Sequence, residues 1–228
     1  VGLADGEGDR SAQPSGGGAN TTAACPSVSG FAAATSPSLR DVEALPSNKH
    51  EAYRYSNIAA LHRVWHDLPA ADTITLAPGE SAQHIWLPDG SDVGVRKCVV
   101  DLAPGASLSV FALNGASEYG RIELDVTVRD GAHFALHAAN IAGGKATQEI
   151  VTVVRHEEPN GTSNQVVRSV LGGTATGSYL GKVAVARNAQ KVDGEQSVKA
   201  MLLDRGATAN CKPELEIYAD DVKCAHGA

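Results

Sequence analysis

Leu76-Ala77-Pro78-Gly79-Glu80-Ser81 returns 26 residues later as Leu102-Ala103-Pro104-Gly105-Ala106-Ser107. After another 26 it comes back, relaxed, as Val128-Arg129-Asp130-Gly131-Ala132-His133. Leu203-Asp204-Arg205-Gly206-Ala207-Thr208 echoes the unit 75 residues further on, close to three more periods. Alternating runs flank the turns: Thr73 to Leu76, Val99 to Leu102, Ile122 to Val128 and Ile150 to Val154. A fixed period of this size marks a solenoid, whose coils bury their apolar faces only against their neighbours. Short strands with a glycine turn in every coil, and little helix between them, make it a β-helix. A propeller would need blades of about 40 residues or more, so the period is too short for one.

Composition agrees. Aromatic residues are 4% of the 228, so the core is built from small and branched side chains in thin repeated layers. A net charge of −7 with no Lys/Arg run excludes a nucleic-acid groove. No apolar stretch approaches the ~18 residues that a membrane span requires. Cys25, Cys98, Cys211 and Cys224 are irregularly spaced in a chain without a secretory signal, which predicts reduced thiols rather than disulfides. The sequons at Asn20 and Asn160 are then coincidental.

Three regions follow. Residues 1–38 are Gly, Ser, Ala, Thr and Pro with almost no large apolar side chain, and read as a disordered leader. Residues 39–69 form a helical segment, in which Ser56-Asn57 caps a short helix with Ile58, Leu61 and Trp65 on one face. Residues 70–228 are the β-helix core. The start at Val1 and the abrupt stop at Ala228 read as those of a piece of a longer protein.

The last legible stretch is KPELEIYADDVKCAHGA, residues 212–228. Glu214, Glu216 and Tyr218 alternate with Leu215, Ile217 and Ala219 as in a half-buried strand. If the backbone stays extended, Cys224 and His226 share a face. A thiol beside an imidazole is half of a soft-metal site, and the remaining ligands must come from elsewhere. Asp220 and Asp221 are either oxygen donors or orienting groups for His226, or a solvated turn. His62 and His66 are spaced i, i+4 without the glutamate of a metalloprotease helix, while His133, His137 and His156 read as solvated strand residues. The sequence contains no nucleophile elbow, P-loop or dinucleotide fingerprint, so any ATP requirement falls on a partner.

The terminal run also resembles the signature near the end of the core in the SufD family of the SUF iron-sulfur cluster assembly system. SNQVVRSVLGG (163–173), GKVAV (181–185) and Ala189-Gln190-Lys191 with Gln196 are similar to that family too. The resemblance is good over roughly residues 150 to 228 and loose over residues 48 to 63. It implies a right-handed parallel β-helix and a cytoplasmic, non-catalytic scaffold subunit. It implies pairing with a SufB-like subunit, sheet to sheet, at the C-terminal end of the stack. A SufC-like ATPase would dock on a helical segment beyond this chain. Iron or a nascent iron-sulfur cluster would be shared with the partner, with Cys224 and His226 as this chain's metal ligands. Two departures stand out. Cys211 replaces an expected small polar residue and reads as a buried small side chain, ahead of the alternative that the solenoid brings it near Cys224 to extend the thiol cluster. Val198-Lys199-Ala200 replaces an asparagine-rich run, which weakens the case for polar ladders inside the coil.

Two other readings compete. A polysaccharide-acting β-helix enzyme would need aromatic sugar platforms and a pair of carboxylates, and this chain has two tryptophans and no clear pair. A purely structural solenoid would carry Cys224 and His226 incidentally.

Overall fold

The computed structural model describes residues 45–227, so the predicted leader and the start of the helical segment lie outside the described residues. Twelve strands make two sheets. One holds β1 (Asp72–Leu76), β3 (Val93–Leu102), β5 (Tyr119–Val128), β7 (Thr147–His156), β9 (Thr176–Val185) and β11 (Thr208–Ile217), stacked in that order. The other holds β2 (Ser81–Trp86), β4 (Ser107–Asn114), β6 (His133–Ala142), β8 (Thr162–Leu171), β10 (Asp193–Leu202) and β12 (Lys223–Gly227). Odd and even strands alternate between the sheets, and every pairing is parallel. This is the parallel β-helix that the period predicts, each coil being one odd and one even strand.

The register shows where the period holds and where it drifts. Ser81 lies beside Ser107, and Ser107 beside His133, 26 residues on each time. Beyond that the coil lengthens: His133 pairs with Thr162 and Thr162 with Asp193, so the simple repeat fades from the sequence. At one corner Gly79, Gly105 and Gly131 stand at φ 72, 69 and 62, and the same left-handed position passes to Asn160 and Lys191, both at φ 60. Their amides form a ladder along the stack: Gly79 N donates to Pro104 O at 3.0 Å, Gly105 N to Asp130 O at 2.8 Å and Asn160 N to Gln190 O at 2.9 Å. Asn and Lys accept this conformation at a penalty of about 1 kcal/mol that glycine avoids. The column therefore continues under residues that do not look like turn glycines. Gly206, in contrast, belongs to the opposite corner, where a Cβ built on it would meet Gly173 O at 2.9 Å. The echo at Leu203–Thr208 is thus not a further member of the Gly79 series.

Inward residues form columns along the stack. Leu108, Val110, Leu124, Val126, Leu136, Ile150 and Val183 are buried completely, and Cys98 lies among them. Polar columns run beside the apolar ones. Asn114 Nδ2 donates to Asn140 Oδ1 at 3.0 Å, and Asn140 Nδ2 to Ser169 Oγ at 3.4 Å. This ladder exists in spite of the substituted asparagine run, and stops because the register partner after Ser169 is Ala200. His156 also corrects its solvated reading. It occupies the column of Val128 and Val185, is fully buried, and bonds Ser163 Oγ through Nε2 at 2.9 Å.

The helical segment covers the outer face of the odd sheet. Asn57 Oδ1 caps α1 (Ile58–Val64) by accepting from Ala60 N at 3.1 Å, and Leu61 and Trp65 bury against Tyr119. Beneath it the buried Glu149 accepts from Ser56 Oγ (2.7 Å), Tyr119 Oη (2.6 Å) and Arg121 (3.2 Å). Arg121 stays charged, because Glu123 and Glu149 outweigh the opposing effect of burial. Lys212 Nζ bonds Glu51 at 2.6 Å, so the segment also reaches the last coil.

Two predictions follow from this packing. A Cβ at Gly181 would fall 2.0 Å from Tyr179 Oη and 2.5 Å from Gln196 Nε2. Gly181→Ala should therefore lower stability by about 1–3 kcal/mol, read as a shift in the urea midpoint at constant m; an unshifted midpoint would contradict the packing. His156 gives a pH signature. Burial pulls its imidazole from 6.5 down to about 4. The unfolded chain takes up the proton first, so this stability is complete above the unfolded value and is lost as pH falls toward 4. The loss is about 3 kcal/mol, and it should be missing from the pH profile of His156→Gln.

Candidate functional site at the last coil

The stretch read as one terminal strand is two. β11 ends at Ile217, the chain turns through 218–222, and Cys224 and His226 lie on β12 in the opposite sheet. They do share a face, and the register fixes which one. Cys224 stands beside Gly194, and His226 beside Gln196. Gly194 and Gln196 are buried inward residues of β10, so both side chains belong to inward columns. Cys224 confirms this by packing against the core: a Cβ built on Gly194 would meet Cys224 Sγ at 3.4 Å, Ser163 Oγ and Val183 Cγ1 at 3.5 Å.

Among the described residues, Cys224 and His226 are the last members of these inward columns. Among the described residues β11 and β12 each have a strand on one side only. Cys224 is consequently half-buried and His226 exposed, although residues one coil earlier in the same columns are sealed. Ile217, at the end of β11, and Tyr218 after it are exposed as well. Pro213 sits on β11 in register with Gly181, a place that suits an edge strand because proline cannot donate to a further neighbour.

Burial pushes the Cys224 thiol up and Asp193 adds to this, opposed by the backbone N–H of Gly194. The thiol therefore holds its proton more firmly than a free cysteine does. Cys211 is the register partner of Tyr179 but is exposed, correcting its buried reading, because among the described residues no strand covers β11. Its thiol is nevertheless pushed up by partial burial. Asp220 and Asp221 lie in the corner before β12, where Asp221 N donates to Gln190 Oε1 at 2.9 Å and Asp221 O accepts from Lys191 N. That is the turn role. Among the described residues no three His, Cys, Asp or Glu side chains converge on a metal-sized space. Cys224 and His226 fit a borderline metal by donor type but make only two ligands.

Three other histidines have local partners. His62 Nε2 meets Pro46 O at 2.8 Å, His133 Nδ1 meets Thr162 Oγ1 at 2.6 Å, and His137 stacks on Phe111 with ring centroids 5.1 Å apart. The sequence did not single out Glu149 and Arg121, and offered Ser56 only as a helix cap; the three are scattered along the chain and meet only when the helix covers the sheet.

Among the described residues the parallel β-solenoid ends on a coil that carries a thiol and an imidazole. Residues 86–228 match the family model described as "SUF system FeS cluster assembly, SufBD core domain", and the chain belongs to that family. Its relatives include an iron-sulfur cluster assembly SufBD family protein of Synechocystis, 34% identical over 91 residues, covering 40% of this chain and 20% of the relative. The iron-sulfur cluster assembly protein SufD of Escherichia coli is 36% identical over 77 residues, 34% of this chain and 18% of the relative. A chloroplastic protein of Arabidopsis thaliana, ABCI7, is 40% identical over 73 residues, 32% of this chain and 15% of the relative. The matched stretches thus span a fifth or less of these relatives. No helix among the described residues is long and apolar enough to cross a membrane.

The electrostatics of the thiol can be checked directly. Alkylation of Cys224 by iodoacetamide, read by peptide mass spectrometry near pH 7, should be slower than that of free cysteine and accelerate as pH rises. Asp193→Asn removes an opposing charge and should speed it at fixed pH; an unchanged rate would show that Asp193 does not act on the thiol.

Proposed function

We propose that this chain is a SufD-like scaffold subunit, cytoplasmic and without turnover of its own, in iron-sulfur cluster assembly. It pairs through its last coil with a SufB-like subunit and works with a SufC-like ATPase. Iron, or a nascent cluster, is the cargo. Cys224 and His226 contribute two ligands, and the partner supplies the rest. The observation that carries this reading is the pair of inward columns that end in a thiol and an imidazole at an unpaired edge. A strand of a second solenoid added to β11 or β12 would prolong the ladder and close the columns. The space over Cys224 and His226 would then become an interface interior, where two ligands from each side can complete a four-coordinate set.

In that arrangement each residue has a separate task. His226 presents a neutral imidazole nitrogen, and Cys224 loses its proton as the cation binds. The core behind them excludes water and keeps the backbone from relaxing. Energy input and chemistry fall on the partners, in keeping with the absence of a nucleotide motif in the sequence.

The test is anaerobic co-purification of the chain with SufB-like and SufC-like partners from the same organism, with iron and acid-labile sulfide measured on the complex. Wild type, His226→Ala and Cys224→Ser should all form the complex, and both variants should carry less iron or sulfide. If the variants assemble and hold as much of both as wild type, Cys224 and His226 are incidental and the solenoid is structural only.

A further inference from the structure

One coil before His226, in the same inward column, stands Gln196, and one coil before that Gln165. Both glutamines are sealed in the core, at 1% and 0% exposure. Tyr179 reaches across from the facing sheet into the space left by Gly181 and organises them. Gln196 Nε2 donates to Tyr179 Oη at 2.9 Å, Tyr179 Oη donates to Gln165 Oε1 at 3.1 Å, and Thr152 Oγ1 lies 3.1 Å from the same oxygen. Burial pushes the tyrosine hydroxyl up to about 12, so it keeps its proton as a fixed donor.

This arrangement determines which arm of the Gln196 amide is committed. The Nε2 arm is held by Tyr179. The other arm, Oε1, is buried and has no hydrogen-bond partner. Gln165 Nε2 is also without one, and the two amides do not bond to each other. A buried carbonyl oxygen left without a donor is costly, so a group that supplies an N–H beside it is favoured there. The next residue in the column is His226, whose neutral imidazole carries one N–H and one lone pair. The facing column offers no competitor, because the residue that follows Gly181 is Pro213, whose ring neither donates nor accepts.

We infer that Gln196 is the positioning residue of His226: its Oε1 accepts the imidazole N–H, fixes one tautomer, and leaves the other ring nitrogen free to face the open edge. Metal-ligating histidines are commonly held in this way by an oxygen behind them. The consequence for metal binding rests on the reading of His226 as an iron ligand, but the hydrogen bond does not, and it can be measured without metal.

The experiment uses the metal-free chain labelled with nitrogen-15 in histidine, at a pH where the imidazoles are neutral. Long-range proton–nitrogen spectra report the tautomer, with the His226 signals assigned by their loss in His226→Ala. Wild type should show a single tautomer. Gln196→Leu should relax it toward the mixture of free imidazole, and Gln196→Glu, which keeps an oxygen acceptor, should restore it. Tyr179→Phe leaves Gln196 in place but releases its Nε2 arm, and should weaken the preference, which covers the case that Gln196→Leu does not fold. A folded Gln196→Leu with the wild-type tautomer, or a Tyr179→Phe chain with no change, overturns the inference. A tautomer that responds as stated, combined with iron retention in His226→Ala complexes, would leave the hydrogen bond standing and overturn only the ligand role.

Discussion

Parallel, in-register stacking is the constraint on which everything else in this molecule depends. Each coil places its residues directly over those of the coil before, so an inward position is a column rather than a site. A column can be apolar, as with Leu108 and Phe134, or polar, as with Asn114, Asn140 and Ser169. It can also switch character from one coil to the next, as where Ser163 follows Phe134 and Gln165 follows Leu136. The terminal Cys224 and His226 continue columns set one and two coils upstream: the first by Ser163 and Gly194, the second by Gln165 and Gln196.

Gly181 and Gly194 show how fine that preparation is. A glycine in a strand gives up packing, and does so usefully only where another group takes the room. Gly181 makes way for the Tyr179 hydroxyl, which ties both glutamines, and Gly194 makes way for Cys224 Sγ. On the outside of earlier coils, the Glu149–Arg121–Tyr119–Ser56 cluster fastens the helical segment to the odd sheet. A buried carboxylate paired to a buried guanidinium adds little net stability by itself, yet losing either partner strands a charge. It therefore acts as a specific lock on where the segment sits.

Among the described residues the last coil has a strand on one side only, so Cys224 and His226 are less covered than Gly194 and Gln196. There the thiol is half-buried, which pushes it up, and the imidazole is exposed. A second chain that completes the ladder would change burial, charge and ligand number together, so docking and metal capture become one event in the function proposed above.

Much of this was legible in the residues alone. The 26-residue return of Gly79, Gly105 and Gly131 gave the β-helix, because a left-handed corner needs glycine and the pattern exposes it. The spacing of Cys224 and His226 gave their shared face, because a strand has period two. The later coils were not legible, since Asn160 and Lys191 take over the same corner without looking like turn residues and the coil grows longer. Gly206 then mimics a corner to which it does not belong. His156 reads as a surface residue until the register places it under Val128, and Cys211 as a core residue until β11 proves to have no outer neighbour. Which sheet holds Cys224, and what stands behind His226, belong to the tertiary structure alone, because columns join residues about 30 positions apart and no local pattern records that distance.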